Sequence, residues 1–266
     1  MQHERAQGPT ALPLEDACGD RESRSAAQVE FGRVTCAPLA PEGVPAPLCR
    51  IEAELCYLAD DCVARLGDRR DRLVYLQSGI LRLVRGQADG RRHIATFLFP
   101  GDLVGFGERD ATWQLDVEAV TPATLALLKP SLPDGRQDAL YRWLFEVARA
   151  QARRAERHTA VLAMPSPIDR LAAFLLDLEG AHHRSATAQQ ETAVLTTGID
   201  AIEIPMRRAD IADYLALTIE TVSRSFGRLV EAGAIRLPQP KRVLILDRLR
   251  LEQFAGQAPL RQADIA

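Results

Sequence analysis

Residues 207–243 constrain the fold of this chain more than any other stretch, because two short helical patterns, a tight turn and a hairpin follow one another there without a break. In the first pattern Ile211, Ala212 and Leu215 share one face, and the small Ala212 lets a second helix cross closely. Leu217 and Thr218 interrupt the pattern, and Thr218 is a good N-cap for the helix that follows. That second helix is expected to turn Val222, Phe226, Leu229 and Val230 inward and to leave Ile219, Glu220, Ser223 and Arg224 outside. Gly233 stands where a helix end needs a left-handed residue, and residues 234–237 and 242–246 read as strands around Pro238, Gln239, Pro240 and Lys241. The expectation is a winged helix-turn-helix.

The outer face has the residue types that read base edges in a major groove. Arg224 can donate two hydrogen bonds to guanine, Glu220 can accept from the amine of cytosine, Ser223 suits either, and Ile219 can meet a thymine methyl. All four fall in the first two turns, the part of a recognition helix that enters the groove. Glu220 and Arg224 by themselves are also a common surface ion pair at i, i+4. The turn, the wing and the basic flank of Arg207 and Arg208 shift the balance to DNA reading.

The chain has 266 residues and a net charge of −3, so there is room for two modest domains and there is no global cationic field. A DNA-binding surface must then be local. Arg207, Arg208, Arg224, Arg228, Arg236, Lys241 and Arg242 would supply it. The apolar runs fall short of a membrane span and the N-terminus lacks signal character, so a cytoplasmic protein is expected.

All five cysteines, Cys18, Cys36, Cys49, Cys56 and Cys62, lie in the first 62 residues. Random placement would do this on the order of once in a thousand. In a cytosolic protein such grouping points to metal, cluster or redox chemistry, although no CxxC is present and incidental thiols are the plainer reading.

The organisation reads as α+β. Residues 1–47 are a polar, Pro- and Ala-rich leader without periodicity, and a short amphipathic helix is expected over 49–58. Residues 48–134 carry short apolar runs cut by glycine (LVYLQSG, ILRLVRG, HIATFLFPG), the texture of an antiparallel, cupin-like β-roll. Residues 135–164 form one long helix, with Leu140, Leu144, Val147, Gln151, His158, Val161 and Leu162 as a stripe suited to a dimer seam or to burial against its own domain. The prolines at 165 and 167 mark a hinge. Residues 165–256 hold a further helix, a polar loop over 180–201 and the winged helix-turn-helix, and 257–266 are a tail.

In this order of parts, and in the segments GDRRDRLVYLQSG, FPGDLVGF, DRLAAFLLDL and ADIADYLALTIETVSRSFGRL, the chain resembles the CRP/FNR family of bacterial transcription regulators, its FNR/FixK branch above all. The resemblance covers about residues 48–256, and its TIETVSR core is specific. It implies that Glu220, Ser223 and Arg224 occupy the family's base-reading positions. It further implies a homodimer on a TTGAT-type near-palindrome, with RNA polymerase as a further partner.

Members that bind cyclic AMP clamp its phosphate with an Arg-Ser pair in the roll. The matching run here, GDLVGFGERDATWQLDVEA, lacks that pair, and Asp110 and Asp116 would repel a phosphate, which argues against a cyclic nucleotide. Oxygen-sensing members hold an iron–sulfur cluster on cysteines. The candidate set here is Cys36, Cys49, Cys56 and Cys62, with thiol oxidation as the other redox route. Haem, the other cofactor open to the family, would take His93 or His158, and a FixK-like member needs no effector. No phosphate loop, HExxH, GxSxG or catalytic triad stands out, so an enzyme is not expected.

Overall fold

The computed structural model describes residues 49–69, 72–87, 90–105, 112–130, 137–188 and 201–256. The leader, the tail and Cys18 and Cys36 lie outside them. The first half holds eight strands: β1 (Cys49–Tyr57), β2 (Cys62–Ala64), β3 (Leu73–Ser78), β4 (Leu81–Gly86), β5 (Arg92–Leu98), β6 (Leu103–Val104), β7 (Asp116–Ala119) and β8 (Ala123–Pro130). They form two four-stranded antiparallel sheets, ordered β1-β8-β3-β6 and β2-β7-β4-β5. This is the expected roll.

The roll's strands read as near-continuous apolar runs because both faces of the first sheet are covered. In β8, Leu125 and Leu127 face the second sheet with Leu76, Leu81, Leu98 and Val117, while Ala126 and Leu128 face outward with Tyr75 and Leu103. Between β3 and β4 the chain turns at Gly79, whose φ is +84° and whose added Cβ would lie 2.3 Å from the Pro122 carbonyl oxygen. No residue with a side chain fits that corner.

In place of the helix expected over 49–58, residues 49–57 form the edge strand β1. A bulge between Ile51 and Ala53 breaks the alternation. Without a clean period of two, Ile51 and Leu55 at i, i+4 spacing imitate a helical face.

Helix α1 (Gln137–Ala163) runs along the outer face of the first sheet, where Trp143, Leu144 and Val147 cover Tyr75, Leu103 and Leu128. Helix α2 (Pro167–Ala188) follows after the prolines and extends beyond the expected end near Glu179 into the segment expected as loop. A short strand β9 (Ala201–Glu203) precedes α3 (Arg208–Leu215) and α4 (Ile219–Glu231), followed by β10 (Ile235–Gln239), β11 (Arg242–Ile245) and α5 (Arg248–Phe254). Strand β9 pairs with β11, which gives the wing three strands. Leu171, Leu175, Ile211, Leu215, Val222, Phe226 and Leu229 pack at 0–2% exposure into one core. Val84, Ile94 and Phe97 of the roll join the same core. Each such side chain contributes about 1.5–3 kcal/mol by leaving water. Among the described residues no helix is long and apolar enough to cross a membrane.

Candidate nucleic-acid interface

Helix α3 is capped by Arg207, whose backbone N–H donates to Asp210 Oδ2 at 3.1 Å. It ends on Ala216 in the left-handed region, φ 53°, a conformation that costs a non-glycine residue roughly 1–2 kcal/mol. Leu217 N–H then donates to the Ala212 carbonyl at 3.0 Å, which closes the turn. Thr218 caps α4 as expected, its hydroxyl accepting from Thr221 N–H at 3.2 Å. Val222, Phe226 and Leu229 are buried, but Val230 is 39% exposed. One residue past Leu229 is another 100° round the helix, outside the stripe. Ser225 turns inward instead, donating to the Thr221 carbonyl at 2.8 Å.

Ile219, Glu220, Ser223 and Arg224 are all exposed on α4. The carboxyl of Glu220 is held below its ordinary value, first by its own backbone N–H in the helix's first turn and next by the Thr218 hydroxyl, with Arg224 a lesser influence. It therefore stays ionised as an acceptor at the helix's leading end. Among the described residues Arg224, Arg228, Arg236 and Lys241 enter no ion pair or side-chain hydrogen bond. Arg242 meets only Glu203, at 3.7 Å, an exposed pair of little worth that a phosphate can replace.

Two of the expected phosphate contacts are already engaged. The Arg207 guanidinium pairs with Asp60 in the β1–β2 turn. Arg208 lies 3.6 Å over the Phe226 ring and donates to the Pro240 carbonyl at 3.1 Å, where burial lowers its pKa. It braces the wing turn from one side, and Ile204 N–H, donating to the Lys241 carbonyl at 2.7 Å, braces it from another. The free cations thus cluster on α4 and the wing.

Sequence reasoning missed what holds α3 to the roll. Arg82 of β4, 4% exposed, donates to Glu118 at 2.7 Å, to Asp210 at 3.1 Å and to Asp60 at 3.2 Å. Arg92 of β5 donates to Asp213 at 2.6 Å and also pairs with Asp210. His93 Nδ1 lies 3.0 Å from the Asp213 carbonyl. Tyr214 stacks on His158 of α1 at 3.8 Å and packs against Phe97 at 5.0 Å and Phe174 at 5.8 Å. No local signal announces a contact between positions 128 residues apart.

The expected seam on α1 needs correction. Leu140, His158 and Val161 are buried, Leu144 and Val147 pack on the roll, and Gln151 donates to the Leu103 carbonyl at 2.9 Å. Six of the seven expected stripe residues thus face the chain's own body, and the seventh, Leu162, is half-buried. The other face presents Tyr141, Phe145, Ala148, Ala152, Ala155, Thr159 and Leu162 at spacings of four and three, with Ala148 and Leu162 half-buried and with Ala152 and Ala155 also lining a cavity beside the roll. Tyr141 and Phe145 stand 62% and 64% exposed there.

The candidate cofactor ligands are dispersed. Cys49 and Cys56 lie near opposite ends of β1, roughly 20 Å apart at the rise of a strand. Cys56 is disulfide-bonded, and Cys62 donates to the Ala64 carbonyl at 3.6 Å on a strand of the other sheet. Burial raises the thiol pKa of both Cys49 and Cys62, which makes them weaker thiolates. Among the described residues no three His, Cys, Asp or Glu side chains gather as a metal site. A cluster on both Cys49 and Cys56 does not fit this strand.

His93 and His158 sit in the packed contact between β5, α1 and α3, against Asp213 and Tyr214, which is no haem cleft. A cavity of about 360 Å³ between roll and α1 is lined by Leu83, Leu98, Leu103, Trp113, Gln151 and Arg154. Its cation, Arg154, is paired with Asp102. Among the described residues its lining holds no other cation.

Two family models match the chain: a Crp-like helix-turn-helix domain over residues 169–254 and a cyclic nucleotide-binding domain over residues 54–131. The chain is 34% identical over 221 residues to the nitrogen fixation regulation protein FixK of Azorhizobium caulinodans, covering 81% of each. It is 32% identical to the protein of that name from Rhizobium meliloti, over 76% of this chain and 87% of the other. Among solved structures it resembles FixK2 from Bradyrhizobium japonicum, with a TM-score of 0.63 and 28% identity over 76% of this chain and 96% of that one.

Proposed function

Starting from the premise that this chain belongs to the CRP/FNR family of transcription regulators, with a helix-turn-helix that binds DNA and no enzymatic role, we propose that it acts in the cytoplasm as a homodimer. Each protomer reads one TTGAT-type half of a near-palindrome whose halves are four base pairs apart. The observation that carries this is the exposed quartet Ile219, Glu220, Ser223 and Arg224 on a capped helix beside unpaired Arg228 and Lys241. Glu220 accepts from cytosine, Arg224 donates to guanine, and the wing cations meet phosphates.

The outward face of α1 supports the dimeric reading. Its alternating four-and-three spacing keeps one stripe against a parallel partner, and its alanines allow close approach. RNA polymerase is the partner through which such a bound dimer would act on transcription.

For control, the separation of Cys49 from Cys56 speaks against a cluster on that set. The family's effector-independent, FixK-like mode needs no bound ligand, and among the described residues no three His, Cys, Asp or Glu side chains gather as a metal site. Any redox control would then run through thiol oxidation rather than a cluster on that set.

Fluorescence anisotropy with a labelled TTGAT/ATCAA duplex tests the reading. Arg224→Ala should lose about 1–3 kcal/mol of binding and relax discrimination at the guanine. A variant with wild-type affinity and base preference would overturn the recognition-helix assignment.

A further inference from the structure

The connection at residues 164–167 is not the only link between the roll and the DNA-reading unit. Helix α3 is held at its N-terminal end by Arg82 and Arg92 through Asp210, and through Asp213 one turn on. At its C-terminal end, Arg170 of α2 donates to the Leu215 carbonyl at 3.1 Å and to the Met164 carbonyl at 2.8 Å, which ties α3 to the last turn of α1. Between these, Tyr214 stacks on His158 of α1. A rigid body fixed at three separated places cannot swing about a linker.

The polar contacts fix angle as well as distance. Asp210 is fully buried and divides its oxygens between two arginines and the Arg207 N–H, so each donor has one direction of approach. Arg82 in turn is anchored to the roll by Asp60 and Glu118. Buried ion pairs add little stability over an apolar contact, and their better-attested use is to select one arrangement.

Resting on the dimeric reading above, we propose that the Arg82, Arg92, Asp210 and Asp213 cluster sets the half-site spacing that the dimer accepts. In a dimer joined along α1, the angle between roll and α3 determines how far apart, and how rotated, the two recognition helices stand. Each added base pair moves a half-site by about 3.4 Å and turns it by about 34°. An unyielding protein makes DNA bear that mismatch by bending or twisting; a loosened one shares it. Arg92 and Asp213 are positioning residues in this scheme, since neither belongs to the DNA-reading face.

The test measures full-length protein binding to duplexes with half-sites separated by four base pairs, and by one fewer, one more and two more. Wild type should prefer the four-base-pair spacer by roughly tenfold over its neighbours. Arg92→Ala and Asp213→Asn should narrow that preference to about twofold while discrimination at the guanine stays intact, and Arg92→Lys should restore part of it. If Arg92→Ala does not fold by thermal melting, Asp213→Asn carries the test, because it leaves the buried Arg82 and Asp210 pair in place. Variants that keep the wild-type spacing profile, or weaken equally at every spacing, would overturn the proposal, as would a wild type indifferent to spacing. A wild type that sediments as a monomer would overturn the dimeric reading instead, and one that binds scrambled DNA as well as TTGAT duplexes would overturn the base-reading assignment.

Discussion

Arg224 and Arg208 look alike in sequence, both basic and both flanking a recognition motif, yet the fold gives them different tasks. Arg224 is left without a partner among the described residues, whereas Arg208 lies flat on Phe226 and bonds the Pro240 carbonyl. His158 shows the same dependence on surroundings. Neither ring nitrogen has a hydrogen-bond partner, and burial, with His93 adding to it, lowers its pKa from 6.5 to about 4. The unfolded chain therefore binds this proton more readily than the folded one. The stabilisation is complete above pH 6.5 and is lost as pH falls towards 4. Melting temperature measured across that range should drop less in His158→Phe, which keeps a ring on Tyr214 without a titrating group. An equal acid-side drop in both proteins would show that other groups govern it.

At the scale of elements, α1 carries two stripes, and the less conspicuous one faces outward. Ala152→Glu should place a carboxylate in the close-packed middle of the proposed seam, at a cost on the order of several kcal/mol unless it is paired. Sedimentation should find the variant monomeric where the wild type is dimeric; a variant that stays dimeric would exclude this face. The long helix was legible from its length, but which of its faces the roll covers was not. Leucines and valines that mark a buried face in any helix here serve the roll, and three of the seven residues on the other stripe are alanines, which carry little hydrophobic signal. The turn, the N-cap at Thr218 and the outer face of α4 were readable because local rules fix them. Strand β1 was misread because its bulge erased the alternation, and β9 escaped notice because three residues are too few for a pattern. The Arg82 hub had no local trace at all, since its meaning lies in an aspartate at the far end of the chain.

For the molecule as a whole, a net charge of −3 means that attraction to DNA comes from one face rather than from the protein's overall field. Four cations per protomer, Arg228, Arg236, Lys241 and Arg242, are unpaired or weakly paired and available for phosphates, so the logarithm of the dimer's affinity should fall against the logarithm of salt with a slope of about −7. A slope near −11 would mean that Arg207 and Arg208 leave their intramolecular partners on binding, about two further phosphates per protomer. The burial of Asp210 between two arginines of the roll has a consequence for how such a protein can diversify. A sensing half borrowed from a relative brings compatible function only if it also brings cations to meet that aspartate. Cut at its prolines, the DNA-reading half would carry a negative charge that its own core has no means to neutralise. Modular exchange at this junction therefore requires matched sets.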